Sequence, residues 1–340
     1  MVVDVAATSR NWALTRDGAA RLHREAPAGW EVAIVSALTS SDGDGPPTAS
    51  DEARRLAAGA EAYFGFGFTR DLLVAAPGLK WVHSAAAGVG NVLTSGIADT
   101  DIILTNSAGI HGPPIGEFVV AGLLHFMRGL DVAIAQQRQG EWSKAFFVAE
   151  DSPMREVSDS RILIVGTGGL GGEAARRLTA LGATCVGIRR RPELGAPAGF
   201  SRVVGLDALN DELRSADALV LAAPLTSETT GLMTRTRLEL LPAHAIIVNV
   251  ARGAMMDEDA LADLLESGRL RGAVLDVFRQ EPLATTSRLW QLRSALVVPH
   301  VSPVSPGRFW PRQLDLFLDN WRRYAAGEPL RNVVDKRAGY

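Results

Sequence analysis

The sequence has little cysteine, little net charge and no long apolar run. Its single cysteine, Cys185, can form neither an intrachain disulfide nor a cysteine metal cluster, so we expect a reducing compartment and no metal. The formal net charge of −3 gives no reason to expect a nucleic acid or a membrane surface as a partner. No apolar run reaches the ~20 residues that cross a bilayer, and the N-terminus lacks the pattern of a signal peptide. We therefore expect a cytoplasmic protein.

The chain of 340 residues is long enough for about two domains, and its 47% hydrophobic and 21% charged residues are typical of a globular protein. Short apolar runs alternate with helical segments in the first third of the chain. The strands predicted there are Glu31–Val35, Ala62–Phe64, Lys80–Ser84 and Ile102–Asn106, with a polar loop over residues 40–50 and a helix over Asp51–Ala60. This alternation indicates a small α/β unit.

The pattern changes at Pro113, where one long helical stretch, Ile115–Gln139, is predicted. A βαβ series then runs to residue 300, which predicts a parallel, doubly wound sheet. Its predicted strands are Ile162–Val165, Thr184–Ile188, Arg202–Val204, Ala218–Ala222, Ile246–Val250, Ala273–Val277 and Leu296–Val298. We predict that a final helix, Gln313–Ala326, returns to the first domain. We therefore expect two domains. One is discontinuous and consists of residues 1–112 plus 303–340, and the other consists of residues 113–302.

A glycine-rich turn follows the strand Ile162–Val165. Its sequence is Gly166-Thr167-Gly168-Gly169-Leu170-Gly171, and a helical segment comes after it. The first glycine permits a tight turn, the second lets a pyrophosphate approach the backbone, and the last lets helix and strand pack closely. The N–H groups at the start of the helix would face the phosphates. With this strand and helix around it, the turn predicts dinucleotide binding rather than a purely structural turn.

The residues after the next predicted strand bear on the choice of dinucleotide. An acidic residue about 20 positions beyond the glycine turn would bind the ribose hydroxyls of NAD. Arg189, Arg190 and Arg191 stand there instead, and the nearest acid, Glu193, comes later. Because arginine can pair with a 2′-phosphate, we favour NADP, with NAD still possible. The alternative is a solvated basic loop.

Three chemically distinct side chains follow three later strands: Arg252, Glu281 and His300. Carboxyl ends of parallel strands line the ligand site of an open α/β sheet, so these side chains should share one edge. Arginine can hold a carboxylate and polarise a carbonyl. Imidazole titrates near neutral pH and can give a proton, and a carboxylate can orient it. Each has an alternative role as a salt bridge, turn residue or loop charge, but together they predict hydride transfer to a small keto acid.

With these motifs the chain resembles the D-isomer-specific 2-hydroxyacid dehydrogenase family. The resemblance is carried by Val165-Gly166-Thr167-Gly168-Gly169-Leu170-Gly171, Val248-Asn249-Val250-Ala251-Arg252-Gly253, Leu275-Asp276-Val277-Phe278-Arg279-Gln280-Glu281-Pro282-Leu283 and Val298-Pro299-His300. It implies a flavodoxin-like substrate domain over 1–112 plus 303–340 and a Rossmann-type dinucleotide-binding domain over 113–302. It also implies catalysis in the cleft between them and a homodimer built through the cofactor domains, with Ile115–Gln139 involved.

The resemblance also implies roles for further residues. Asp276 would hold the nicotinamide carboxamide, Gly88 and Val89 would offer backbone N–H groups to the substrate carboxylate, and Pro224, Thr226 and Val250 would lie along the cofactor. The chain departs from the family at Gly90 and Asn91, where an aspartate is common, so the keto acid is not identified. The basic residues from Arg189 resemble NADPH-preferring glyoxylate/hydroxypyruvate reductases.

Two kinds of function are compatible with this pattern. The first is an NAD(P)-dependent 2-ketoacid reductase that forms a D-2-hydroxy acid and catalyses the reverse reaction. The second is a dinucleotide-responsive, corepressor-like binding protein of the same fold, which would need an exposed apolar groove for a peptide. Formate dehydrogenase, a third member of the superfamily, is disfavoured because it would pair the histidine with glutamine, and Glu281 stands here.

Overall fold

The computed structural model describes residues 1–7, 12–38 and 48–339, so residues 40–47 of the predicted loop lie outside it. The chain divides into two compact units. Unit 1 consists of Met1–Ile110 and Ser305–Tyr340, and unit 2 of His111–Val304. Each unit is built on one sheet with helices on both faces, which confirms the predicted doubly wound α/β class.

The strands in chain order are β1 (Val2–Asp4), β2 (Ala33–Ile34), β3 (Ala62–Gly65), β4 (Trp81–Ser84), β5 (Ile103–Asn106), β6 (Arg161–Val165), β7 (Thr184–Ile188), β8 (Arg202–Val204), β9 (Ala218–Leu221), β10 (Ile246–Asn249), β11 (Gly272–Leu275) and β12 (Ala295–Val297). The helices are α1 (Arg16–Arg24), α2 (Asp51–Ala57), α3 (Arg70–Ala75), α4 (Gly90–Leu93), α5 (Gly112–Met127), α6 (Leu130–Gln139), α7 (Ala145–Val148), α8 (Gly169–Ala180), α9 (Leu209–Leu213), α10 (Arg235–Leu238), α11 (Glu258–Glu266) and α12 (Phe309–Ala326). Short 3₁₀ turns occupy Ile97–Asp99, Pro192–Leu194, Leu206–Ala208, Gly253–Met255 and Arg288–Gln291.

Unit 1 has the strand order β2-β1-β3-β4-β5, and every pairing is parallel. This is the flavodoxin-like order. The sequence analysis did not predict β1 or α1. A strand of three residues is too short to show a periodicity, yet β1 lies inside the sheet between β2 and β3. The α1 start has a local signal, because the Thr15 side chain accepts a hydrogen bond from the Gly18 N–H.

Helix α12 packs on one face of the unit 1 sheet. It begins at Phe309, four residues before the predicted start, with Pro311 in its first turn, where a missing N–H costs no helical hydrogen bond. Phe317 stacks on Trp81 of β4 at 5.7 Å between ring centroids, and both side chains are fully buried. Unit 1 therefore completes its core with residues from both ends of the chain.

A buried polar network crosses the unit 1 core around His83. Its Nδ1 lies 2.7 Å from Thr105 Oγ1 and its Nε2 lies 3.2 Å from Ser107 Oγ, which also accepts a hydrogen bond from Gln313 Nε2 at 2.7 Å. Burial lowers the pKa of His83 to about 3. This imidazole is therefore neutral in the folded protein at physiological pH.

Unit 2 has the strand order β12-β11-β10-β9-β6-β7-β8, all parallel. This is a Rossmann-type order in which the chain reverses direction across the sheet between β6 and β9. Helices α5 and α8 cover one face, and α9, α10 and α11 cover the other. Ligands of such sheets bind beyond the strand ends at this reversal.

The prediction of one continuous helix over Ile115–Gln139 is wrong in one respect, because the structure has two helices there, α5 and α6. The chain breaks at Gly129, whose φ of +66° suits glycine, and α5 and α6 meet at 65°. Arg271 fixes the break from outside, because its guanidinium forms a bidentate pair with Asp131, at 2.9 and 2.6 Å, and donates to the Phe126 carbonyl. A tertiary ion pair of this kind leaves no periodic signal in the sequence.

Among the described residues, no single helix is both long and apolar enough to cross a membrane. In the part of the chain that the structure describes, the bent pair α5 and α6 reaches the required length and composition when the two helices are taken together. Much of α5 is core, since Val119, Leu123 and Phe126 are fully buried in unit 2.

Helix α5 crosses the start of α8 at close range through two glycines. A Cβ on Gly112 would lie 2.9 Å from the Gly169 carbonyl oxygen, and one on Gly116 would lie 3.0 Å from the Glu173 carbonyl. The first turn of unit 2 is therefore in direct contact with the helix that follows the glycine-rich turn.

Candidate active site

The glycine-rich turn lies where the unit 2 sheet reverses direction. Gly166 has a φ of +99°, and a Cβ there would lie 2.6 Å from the Ala223 nitrogen. A Cβ on Gly171 would lie 1.8 Å from the Gly166 carbonyl oxygen, so only glycine allows strand β6 and helix α8 to meet this closely. A Cβ on Gly168, in contrast, would meet no described atom within 4 Å. This open backbone at the N-terminus of α8 fits a pyrophosphate.

Arg189 follows β7, the strand beside β6. Gly166 donates its N–H to the Ile188 carbonyl at 2.9 Å, so Arg189 comes one residue after a direct partner of the turn. Arg189 is half-buried, and its Nη1 donates to the Gly195 carbonyl at 3.4 Å, whereas Arg190 and Arg191 are exposed. Arg189 is thus the arginine that directly follows the end of β7, beside the glycine turn.

A second turn follows β9 on the other side of β6. The Thr226 N–H donates to Thr229 Oγ1 at 2.8 Å, and that hydroxyl donates to the Pro224 carbonyl at 2.7 Å. A Cβ on Gly166 would also contact Ala222, so the glycine-rich turn and this second turn are adjacent. Val250, which follows β10, is buried, and its N–H donates to the Leu221 carbonyl at 3.2 Å.

The three predicted catalytic residues follow the carboxyl ends of three neighbouring strands. Arg252 comes after β10, Glu281 after β11 and His300 after β12, and these strands are adjacent in the sheet. Arg252 is exposed, and its Nη1 donates to the Ala251 carbonyl at 2.7 Å. The parallel sheet thus brings all three chain positions to one edge.

Glu281 and His300 are in direct contact. Glu281 Oε2 lies 2.8 Å from His300 Nδ1, while its Oε1 accepts the Phe278 N–H at 2.9 Å. The Glu281 side chain is 37% exposed and the His300 side chain 27%, so both reach solvent. A carboxylate on Nδ1 keeps that nitrogen protonated and leaves Nε2 to exchange a proton with a ligand.

His300 has an unusual backbone conformation, with a φ of +51°. This left-handed geometry is uncommon for a residue with a side chain and persists only where neighbours hold it. The His300 N–H donates to the Asp276 carbonyl at 2.9 Å, and the buried Asp276 carboxylate accepts the N–H groups of Val301 and Ser302. The Ser302 hydroxyl donates to the same carboxylate. Asp276 therefore fixes the backbone of the two residues that directly follow His300.

The segment after Arg252 packs directly on the loop that carries Glu281. A Cβ on Gly253 would lie 1.9 Å from the Phe278 carbonyl carbon and 2.3 Å from the Arg279 nitrogen. Glu258, at the start of α11, accepts the Arg279 N–H. The sequence analysis did not single out Glu258, because an acid in the first turn of a helix is a common stabilising feature that carries no functional signal.

Gly88 and Val89 belong to unit 1 and follow β4. Gly88 is exposed and Val89 is buried. The turn before them is held from β5, because Asn106 Nδ2 donates to the Ala87 carbonyl at 2.7 Å. Within the described residues no group of three or more His, Cys, Asp or Glu side chains could hold a metal ion.

Comparisons with known proteins show which family the chain resembles. A sequence model described as D-isomer specific 2-hydroxyacid dehydrogenase, NAD binding domain, matches residues 120–302. The D-3-phosphoglycerate dehydrogenase of Methanocaldococcus jannaschii is 30% identical over 233 residues, which are 68% of this chain and 43% of that protein. The chain thus spans less than half the length of this relative.

Two solved structures are similar over the whole chain. A D-isomer specific 2-hydroxyacid dehydrogenase from Xanthobacter autotrophicus Py2, in complex with NADPH and MES, has a TM-score of 0.78 and 30% identity and covers 100% of this chain and 99% of its own. An NADPH-dependent glyoxylate/hydroxypyruvate reductase from Sinorhizobium meliloti, in complex with NADP and sulfate, has a TM-score of 0.76 and 28% identity, with the same coverage. The protein belongs to the D-isomer-specific 2-hydroxyacid dehydrogenase family, as the resemblance predicted.

Proposed function

We propose that the protein is an NADP-dependent reductase that converts a small 2-keto acid to a D-2-hydroxy acid and also catalyses the reverse reaction. The observation that carries the proposal is the Glu281–His300 pair, 2.8 Å apart, on the same Rossmann-type sheet as the glycine turn. Domain 113–302 would bind the dinucleotide, and domain 1–112 plus 303–340 would bind the substrate. Family membership supports the reaction class.

In this reaction the bound dinucleotide would supply a hydride to C2 of the substrate. Arg252 would bind the substrate carboxylate and polarise the carbonyl with its planar set of donors. His300 would give a proton from Nε2 to the oxygen at C2, while Glu281 orients the ring through Nδ1. Gly88 and Val89 are proposed to add backbone N–H groups at the carboxylate, and Asp276 to contact the nicotinamide carboxamide.

Three observations support binding of NADP rather than NAD. Arg189 follows the strand beside the glycine turn, where NAD-binding proteins place an acid. Its guanidinium can form a bidentate pair with a 2′-phosphate. Two solved relatives contain NADPH or NADP. The glycine turn, with Gly168, Gly169, Leu170 and Gly171, and the segment with Pro224, Thr226 and Val250 would line the rest of the dinucleotide.

We also propose a cytoplasmic homodimer. Several large apolar side chains along α6 and the residues after it are exposed, namely Leu130 (47%), Ile134 (40%), Trp142 (92%) and Val148 (72%). Exposed apolar residues of this number within one short segment are typical of a protein interface. Light scattering on the purified protein tests the assignment, and the mass of a single chain would contradict it.

The experiment that tests the function is the oxidation of NADPH and of NADH with glyoxylate, hydroxypyruvate, pyruvate and phenylpyruvate. We expect turnover with NADPH, and the ranking of the acids measures the size of the substrate site. Arg189→Ala should raise the KM for NADPH about tenfold and leave that for NADH unchanged, since it removes a charge-assisted contact to the extra phosphate. Arg191→Ala, which removes an exposed neighbouring charge, is the control. Tight dinucleotide binding without turnover of any keto acid would refute the reductase.

Arg252→Ala separates the role of the arginine from cofactor binding. The variant should lose nearly all turnover, because about 2.7–4 kcal/mol of transition-state stabilisation is typical for a lost donor of this kind. Its dissociation constant for NADPH should stay near the wild-type value, and a marked weakening would show that Arg252 serves the cofactor instead.

A further inference from the structure

We call the sheet edge after β10, β11 and β12, with Arg252, Glu281 and His300, the proposed catalytic edge. The peptide between Phe278 and Arg279 connects two parts of this edge. Its backbone lies against Gly253, the neighbour of Arg252, so closely that a methyl group would not fit between them. The Phe278 N–H binds Glu281 Oε1, the oxygen opposite to the one that contacts His300. One short stretch of backbone therefore supports both the arginine segment and the glutamate.

Glu258 makes a further contact with this stretch of backbone, in addition to those of Gly253 and Glu281. Its Oε1 accepts the Arg279 N–H, although Glu258 lies in a different element, at the first position of α11. The carboxylate is only partly exposed. Burial raises the pKa of Glu258, the hydrogen bond and charge of Arg279 oppose that rise, and the negative charges of Asp259 and Glu281 add to it.

Glu258 is not needed to cap its own helix. The N-cap of α11 is Asp257, whose side chain accepts the Ala260 N–H at 3.0 Å. Asp259, the next residue, offers the same favourable negative charge to the helix N-terminus from an exposed position. What distinguishes Glu258 from Asp259 is its hydrogen bond to the loop that carries Glu281.

We propose that Glu258 is a positioning residue: it fixes the Phe278–Arg279 peptide and thereby positions Glu281 for its contact with His300, and Gly253, the residue after Arg252. The inference rests on the proposed function, because its catalytic consequence requires that these three residues carry out the reaction. Glu258 itself does not touch the substrate or the cofactor.

Three variants test the role by kinetics. Glu258→Ala removes the acceptor and should lower kcat about tenfold, the scale of one hydrogen bond to a charged group. Glu258→Gln keeps a carbonyl oxygen for the Arg279 N–H and should stay within about threefold of wild type. Asp259→Ala, the matched control, removes a first-turn charge without a loop contact and should change kcat less than about twofold. The NADPH dissociation constant should be the same in all of them.

Residue-resolved hydrogen exchange provides a second measurement that does not depend on turnover. In Glu258→Ala, the Arg279 amide loses its acceptor and must exchange faster. The informative amide is that of Phe278, which keeps its acceptor, Glu281, and should nevertheless exchange about tenfold faster if the peptide has loosened. Glu258→Gln and Asp259→Ala should leave both amides slow.

The outcomes separate the two proposals. An inactive wild-type protein would refute the proposed function, and the exchange of Phe278 would still decide whether Glu258 holds the loop. Fast exchange at Arg279 alone, with Phe278 unchanged, would overturn the positioning role. Faster exchange at both amides with an unchanged kcat would also overturn the positioning role. A Glu258→Gln variant whose kcat is as low as that of Glu258→Ala would overturn it as well.

Discussion

The contact between Glu281 and His300 makes Glu281→Gln the most direct test of the catalytic edge. The glutamate accepts two hydrogen bonds, one on each oxygen, from the Phe278 N–H at 2.9 Å and from His300 Nδ1 at 2.8 Å. A glutamine has one acceptor oxygen, and its NH₂ group can only donate. The variant must therefore leave either the loop amide or the imidazole facing a donor.

The size of the effect follows from this lost partner. A hydrogen bond to a charged group contributes about 1.5–3 kcal/mol, and the exposure of this pair favours the lower half of that range. Since 1.36 kcal/mol corresponds to a factor of ten in rate, we expect kcat to fall about tenfold to fiftyfold. The dissociation constant for NADPH should not change, because neither oxygen contacts the glycine turn.

The assay is the single-turnover oxidation of NADPH with saturating glyoxylate, together with cofactor titration by fluorescence. Glu266→Gln is the matched control, because Glu266 makes a similarly exposed ion pair, with Arg288 at 3.1 Å, away from the catalytic edge. A Glu281→Gln protein with wild-type kcat would refute the reasoning. An equal loss in Glu281→Gln and Glu266→Gln would also refute it, since the loss would then reflect general destabilisation.

Two further predictions concern cofactor binding and stability. Gly171→Ala would place a methyl group 1.8 Å from the Gly166 carbonyl oxygen, so the turn must open. Calorimetric titration should then show at least about tenfold weaker NADPH binding. An unchanged affinity would contradict the close-packing role of Gly171. His83 is neutral when folded, with a pKa of about 3, but takes up a proton when unfolded below about pH 6.5. Folding stability should therefore fall as pH decreases from 6.5 towards 3, by about 2 kcal/mol at pH 5. Urea unfolding of wild type and His83→Gln at pH 7 and pH 5 tests this, and identical losses in both proteins would contradict it.

The sheet, and the positions of Arg252, Glu281 and His300 after three neighbouring strands, could be predicted because their signals are local. The unit 2 strands are short apolar runs, and the site residues follow directly from where those runs end. The glycine turn was predictable for the same reason, since Gly166, Gly168 and Gly171 stand between a clear strand and a helix.

The supports of the site could not be predicted in this way. Glu258 meets Arg279, and Gly253 meets Phe278, only because two loops lie against each other in the folded chain. The break at Gly129 had a weak local signal, but its partner Arg271 is far away in sequence. Such contacts depend on tertiary packing, which neither periodicity nor composition reports.

The assembly of unit 1 from two separated segments has a consequence for synthesis on the ribosome. The core around Trp81 lacks Phe317 and Trp321 until α12 has been made, whereas unit 2 is one continuous segment and is completed earlier. At about 5–20 residues per second, the N-terminal segment waits roughly 10–40 s for its missing helix. During that interval the segment Met1–Ile110 exposes the apolar face that α12 will cover, and chaperones can protect that face until α12 has been made.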